Sequence, residues 1–261
     1  MKKIDLGANM KTYIEGTFCW AELGSGDPAA STAFYTALFP WTTQITTMED
    51  GRSYTVIQSQ EQDVAAMYSL EEANQPSFWG CYIAVQDVGI SAERAKSLGA
   101  EMLIPPRRIA DKGSMCAFRD PTGAMVALWE AGEHPGSGVL HEPYSMDWHE
   151  LYTTDLDAAA HFYMELLGWS MEEVPAPSGR YLQFKAGPDY AAGMKSIPST
   201  MGDMRSGWGL YFKVPRCEEA VQHAVALGAT VVIPPTSVPG VGKFATLQDP
   251  QGAFFSIQHG F

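Results

Sequence analysis

The stretch "WHELYTTD", Trp148–Asp155, decides how this chain is read, because "WAELGSGD", Trp20–Asp27, repeats its frame. Both begin with Trp, carry Glu then Leu two and three residues later, and close on Asp. The two tryptophans stand 128 positions apart, and the same offset aligns Phe34-Tyr35 with Phe162-Tyr163, Leu38 with Leu166 and Trp41 with Trp169. At an offset of 129 the match continues through Trp79-Gly80 and Trp208-Gly209, Tyr82 and Tyr211, and Val85 and Val214. It then runs through "LGA" at Leu98 and Leu227, "IPP" at Ile104 and Ile233, and "DPxGA" at Asp120 and Asp249. Identities in this number and order mark a tandem duplication.

Each copy subdivides by pattern. "TFCWAEL" reads as a strand, and "DPAASTAFYTALF" after it reads as a helix with Asp27 as N-cap and Pro28 at the first helical position. Ala30, Ala33, Phe34, Ala37 and Leu38 supply its apolar face. Strands are expected at Thr42–Met48, Ser53–Gln58 and Val64–Leu70. "FWGCYIAV" opens a second unit, with a helix over Val88–Leu98 stopped at Gly99 and strands at Glu101–Ile104, Met115–Phe118 and Ala124–Trp129. The spacing therefore predicts an α+β chain of four βαβββ modules. Its expected organisation is an N-terminal arm over 1–15, a first domain over 16–131, a Gly- and Pro-rich linker over 132–144 and a second domain over 145–261.

Hydrophobic residues make up 46 % of the 261, enough for a packed core, and charged residues only 18 %. A net charge of −13 repels phosphate backbones and anionic lipid, which argues against nucleic-acid and membrane partners. Cys19, Cys81, Cys116 and Cys217 are scattered without a CxxC pair, as expected of reduced thiols in a cytoplasmic protein. His134 and His141 are expected to be solvated in the linker, His161 and His223 fall on helices, and His259 ends the last strand. The chain has neither HExxH nor GxGxxG spacing.

Paired βαβββ modules with "AxxFYxxLxxW" after an Asp, "YxxVxD" at Tyr82–Asp87, and "DPxGA" before the last strand resemble the vicinal oxygen chelate superfamily. That group includes glyoxalase I, extradiol dioxygenases, fosfomycin-resistance enzymes and bleomycin-binding proteins. The resemblance implies the glyoxalase/bleomycin resistance fold, two half-open mixed-sheet barrels in tandem. It also implies, in the metal-using members, His, Glu or Gln ligands on the first and last strands of each module. Carried onto this sequence, those positions hold Trp20, Gly80, Ala127 and a residue near Met67, and in the second copy Trp148, Gly209, Ser256 and a residue near Met194. None of these suits a divalent ion, so no metal and no cofactor is expected.

Strand alternation carries the reading further. If Trp20 and Trp148 face the barrels, so do Glu22 and Glu150, whereas His149 faces away. Gly80 takes Tyr82 with it, Gly209 takes Tyr211 and Lys213, and Ala127 takes Trp129. Aromatic cups holding a carboxylate suit a small aromatic or cationic organic molecule. Three readings stay open. The first is a non-catalytic binder of such a ligand. The second is a metal-independent or unusual lyase or hydroxylase-like enzyme on a small carbonyl compound, with Glu22 or Glu150 as base. The third is an interaction protein whose cavities are filled or vestigial. Because the duplication supplies both halves, a monomer (a pseudo-dimer) or weak homodimer is expected.

Overall fold

A computed structural model describes residues 13–48, 51–71, 75–176, 179–197 and 204–260. The expected arm over 1–15 therefore lies outside the described residues except for Tyr13, Ile14 and Glu15. The first half runs β1 (Phe18–Ser25), α1 (Pro28–Leu38), β2 (Thr42–Thr47), β3 (Ser53–Ser59), β4 (Gln62–Ser69), β5 (Phe78–Ala84), α2 (Val88–Ser97), β6 (Glu101–Ile109), β7 (Gly113–Arg119) and β8 (Met125–Ala131). The second half repeats it as β9 (Met146–Thr153), α3 (Leu156–Leu167), β10 (Ser170–Ala176), β11 (Gly179–Ala186), β12 (Asp189–Ser196), β13 (Gly207–Lys213), α4 (Cys217–Ala226), β14 (Thr230–Val238), β15 (Gly242–Gln248) and β16 (Phe254–His259). Four βαβββ modules are thus present in the order the repeat predicts.

Each half forms one eight-stranded mixed sheet, in the order β2-β3-β4-β1-β5-β8-β7-β6 and, identically, β10-β11-β12-β9-β13-β16-β15-β14. The first strands of the two modules, β1 and β5, pair antiparallel at the centre, and each pairs in parallel with the last strand of its own module. The helices start where expected. Asp27 accepts the N–H of Ala30 at 3.0 Å, Asp87 that of Ile90 at 2.8 Å, and Asp155 that of Ala158 at 3.0 Å, each satisfying a donor that the first helical turn leaves free.

One hydrophobic core runs through both halves on the helix-bearing faces of the sheets. Phe39 and Trp41 pack on Phe212 of the other half, at ring distances of 5.6 and 5.3 Å, and Phe118 packs on Phe162 at 5.8 Å. The repeat motifs meet here in reciprocal pairs. Tyr35 on α1 donates to Asp249 Oδ2 at 2.9 Å, and Tyr163 on α3 donates to Asp120 Oδ2 at 3.0 Å. Each tyrosine accepts an indole N–H from its own half, from Trp79 at 2.9 Å and Trp208 at 2.8 Å. Each aspartate spends its other oxygen closing its own "DPxG" turn, on the N–H of Ala124 or Ala253. Trp41 and Trp169 likewise donate across the interface, to the carbonyls of Tyr144 and Gly16. The "FYxxLxxW" and "DPxG" patterns are thus the two sides of one joint.

A buried hydrogen bond to a charged acceptor contributes about 1.5–3 kcal/mol. Tyr35→Phe and Tyr163→Phe are each expected to lower unfolding free energy by about 2 kcal/mol in urea titrations. Losses under about 0.5 kcal/mol in both would show that the joint is not carried by these bonds.

Candidate functional site

The faces of the two sheets turned away from the shared core form two cups, one per half. In the first, β1 contributes Trp20 and Glu22. Their neighbours in register are Ala66 on β4, Gly80 and Tyr82 on β5, and Ala127 on β8, with Trp129 two residues beyond. Trp20, Ala66, Ala127, Trp129 and Met115 form a buried cluster separate from the main core, with Tyr54 and Tyr82 packed against it. The second cup is built from Trp148, Glu150, Gly193, Gly209, Tyr211 and Ser256 on the equivalent strands. Small residues beside each Glu leave its carboxylate reachable by tyrosines from neighbouring strands.

Two expected site residues are misplaced by one position. Met67 pairs with Leu23, and Met194 with Leu151, so both methionines face the shared core, where they are buried. Thr32 of α1 contacts the Met67 sulfur at 3.6 Å. The cup positions are instead Ala66 and Tyr68 on β4, and Gly193 and Lys195 on β12. Lys213 is also not part of its cup: its ammonium donates to the His141 carbonyl at 2.8 Å, tying the linker down. The linker itself is not a solvated tether. Ser137 N–H bonds the Cys19 carbonyl at 2.7 Å, Tyr13 donates to the Ser137 carbonyl at 2.6 Å, and Trp129 donates to the His134 carbonyl at 2.9 Å. This folds His134 onto the first cup, edge-on to Trp20 with ring centroids 4.5 Å apart.

In the first cup, Tyr54 and Tyr82 donate to the two oxygens of Glu22 at 2.6 and 2.5 Å. Burial, reinforced by the Glu22 charge, holds both phenols well above their ordinary pKa, so they stay protonated donors. Burial lowers the His134 pKa, with Asp63 opposing it in part, which favours the neutral imidazole. Among the described residues, two buried polar atoms of this cup have no partner, the Trp20 indole N–H and His134 Nε2, and Trp20 is 3 % exposed. Tyr54 lies close to that indole, yet hydrogen-bond geometry is not reached.

The second cup has the same plan and no such orphans. Trp148 donates to Tyr181 at 3.2 Å, Tyr211 donates to Glu150 at 2.8 Å, and the Thr246 and Ser256 hydroxyls pair at 2.8 Å. Lys195 reaches Glu150 at 2.6 Å. Burial works to lower the Lys195 pKa, but the charges and hydrogen bonds of Glu150 and Tyr152 together outweigh it and the net shift is upward. Gly193 leaves room for Tyr181, whose oxygen would stand 1.9 Å from any Cβ there.

The residues do not fit a divalent ion held in the manner of the metal-using relatives. The indole, the small side chains and the protonated phenols offer no anionic or imine donors, which leaves Glu22 with at most the His134 ring in the first cup, and Glu150, already paired with Lys195, in the second. Among the described residues no three His, Cys, Asp or Glu side chains converge as a metal site. Among those same residues no helix is long and apolar enough to cross a membrane.

Comparison with known proteins agrees with the duplication. Residues 17–128 match a family model described as the glyoxalase/bleomycin resistance protein/dioxygenase superfamily, and residues 147–258 match one described as a glyoxalase-like domain. A Mycobacterium tuberculosis protein named "Putative glyoxylase CFP32" is 33 % identical over 250 residues, covering 94 % of this chain and 95 % of that protein. The Streptomyces peucetius "Anthracycline biosynthesis protein DnrV" is 32 % identical over 262 residues, covering 95 % and 94 %. Among solved structures, the 2,3-dioxygenase LapB from Pseudomonas sp. KL28 superposes with a TM-score of 0.65 at 16 % identity, covering 96 % of this chain and 94 % of that one. The Mn(II)-bound glyoxalase from Novosphingobium aromaticivorans gives 0.64 at 13 %, covering 94 % and 82 %. At such identities the structural likeness shows the fold alone.

Proposed function

The chain belongs to the glyoxalase/bleomycin resistance protein/dioxygenase superfamily, and from that premise we propose that it binds a small aromatic or cationic organic molecule in the cup of its first half. The observation that carries this reading is the pair of buried, unpartnered polar atoms there, on Trp20 and His134. Leaving such a group without a partner costs about 1–3 kcal/mol, and a ligand bearing a carbonyl or hydroxyl oxygen would recover it. The equivalent indole of Trp148 is already bonded, so the second cup serves as a packed counterpart. Relatives named for anthracycline biosynthesis support an aromatic ligand, since anthracyclines are fused-ring aromatic compounds. Four free, buried cysteines suit a reducing, cytoplasmic setting. The tethered halves suit a monomer or weak homodimer.

Titration with small aromatic ketones and amines, followed by tryptophan fluorescence, tests the assignment. Trp20→Phe and His134→Ala are each expected to weaken binding about tenfold, one lost hydrogen bond's worth, and Trp148→Phe to leave it unchanged. Loss of binding in Trp148→Phe with retention in Trp20→Phe would move the site to the second cup. A catalytic reading, with a carboxylate as general base on a carbonyl compound, rests on Glu22, since Glu150 is engaged by Lys195. Turnover abolished in Glu22→Gln and kept in Glu150→Gln would favour it.

A further inference from the structure

The two cups share a scaffold but not a charge balance. In the second, Glu150 is paired with the Lys195 ammonium at 2.6 Å. That ammonium also lies 4.5 Å from the centroid of the Tyr152 ring and 5.5 Å from that of Phe244. A carboxylate on one side and aromatic faces on the others form a cage suited to an alkylammonium, and the protein fills it with its own side chain. The register identifies the counterparts in the first cup. β4 pairs Tyr68 with Gly24 of β1 as β12 pairs Lys195 with Tyr152 of β9, so Tyr68 replaces Lys195 and Gly24 replaces Tyr152. On β7, Met115 pairs with Trp129 of β8, and on β15 Phe244 pairs with the equivalent Gln258 of β16, so Met115 stands where the second half has Phe244.

Glu22 consequently lacks the counterpart of that ammonium. It accepts hydrogen bonds from two neutral phenols, and among the described residues no Lys or Arg nitrogen stands within ion-pair distance of it. Arg52, close enough to act on Tyr68, is held at the rim by Glu71 at 2.8 Å. Tyr68 leans over Gly24, with its hydroxyl 3.1 Å from where a Cβ would stand, and so supplies the wall that Tyr152 forms in the other cup. Resting on the reading of the first cup as a ligand site, we propose that its ligand is an organic ammonium. Its charged nitrogen would pair with Glu22 among Tyr54, Tyr68 and Tyr82, as Lys195 pairs with Glu150. Its acceptor oxygen or aromatic face would meet Trp20 and His134.

Calorimetric titration of the wild-type protein with 2-phenylethylamine, 2-phenylethanol and phenylacetate at pH 7 tests this. The three probes share ring and chain length and differ in charge. The amine is expected to bind at least tenfold more tightly than the alcohol, and phenylacetate not measurably. Glu22→Gln is expected to erase the difference between amine and alcohol. Tyr68→Lys builds the second cup's internal ammonium into the first. It is expected to keep the wild-type melting temperature within a few degrees and to abolish amine binding, which keeps the test decisive if Glu22→Gln fails to fold. Equal affinity for amine and alcohol, or a preference for phenylacetate, would overturn the ammonium and leave the first cup as a ligand site. Binding of none of the three probes would overturn both.

Discussion

Lys195→Met is expected to destabilise the protein by about 3–5 kcal/mol, because it strands a buried carboxylate. The Lys195 and Glu150 side chains are 15 % and 6 % exposed, and after the substitution Glu150 is left with neutral phenols, Tyr211 donating at 2.8 Å and Tyr181 close by. Methionine follows the lysine stem closely, so lost packing contributes little. Adding Glu150→Gln should recover most of the loss, since a neutral amide tolerates the aromatic cup far better than an unpaired anion. Urea unfolding of the two single variants and the double variant forms a cycle that isolates the pair. A loss below about 1 kcal/mol in Lys195→Met would mean that water reaches Glu150 freely, contrary to its burial.

A comparably large effect is expected of pH at the joint between the halves. His149 faces away from its cup and stacks on Phe18 of the other half, with ring centroids 3.8 Å apart and planes 5° apart, and its Nε2 has no protein partner. Burial pushes its pKa down to about 3, with His141 adding to the shift and Asp147 opposing it. Above the ordinary histidine pKa of about 6.5, the ring is neutral in both folded and unfolded chains, so its titration contributes nothing to stability. Between that value and about 3, the unfolded chain takes a proton that the folded one refuses, so stability falls with pH. At about 1.36 kcal/mol per pH unit, the loss reaches roughly 3 kcal/mol by pH 4. His149→Phe keeps a ring against Phe18 and removes the proton site. Its stability should track the wild type at pH 8 and exceed it by a widening margin below pH 6.5. Parallel stability curves from pH 8 to pH 4 would show that His149 is not the titrating group.

The duplication, the module order and the helix starts were legible because they rest on long, ordered identities and on capping chemistry. Trp20, Glu22, Trp148 and Glu150 were legible for the same reason: one strand with one period puts each pair on one face. The register of Met67 and Met194 was not legible, because β4 and β12 each bury four consecutive residues and so show no alternation in sequence. That one-residue slip also hid Tyr68 and Lys195, the residues that set the charge of each cup. Tyr54 and Tyr181 sit on strands whose hydrogen-bonding targets lie two strands away, a relation that local pattern does not encode. The glycines and proline around His134 point to solvent exposure. What brings it in are bonds to its backbone, from the Trp129 indole to its carbonyl and from its N–H to the Lys112 carbonyl.

The crossed tyrosine–aspartate bonds have a consequence for inheritance. Each half carries the latch for the other, which is the arrangement of two identical subunits related by a two-fold axis. In a dimer of identical chains every substitution occurs twice, so a lysine that plugs one cup plugs both. Once the halves share one polypeptide, a mutation strikes a single copy. One barrel can then be filled by its own lysine–glutamate pair while the lining of the other changes independently.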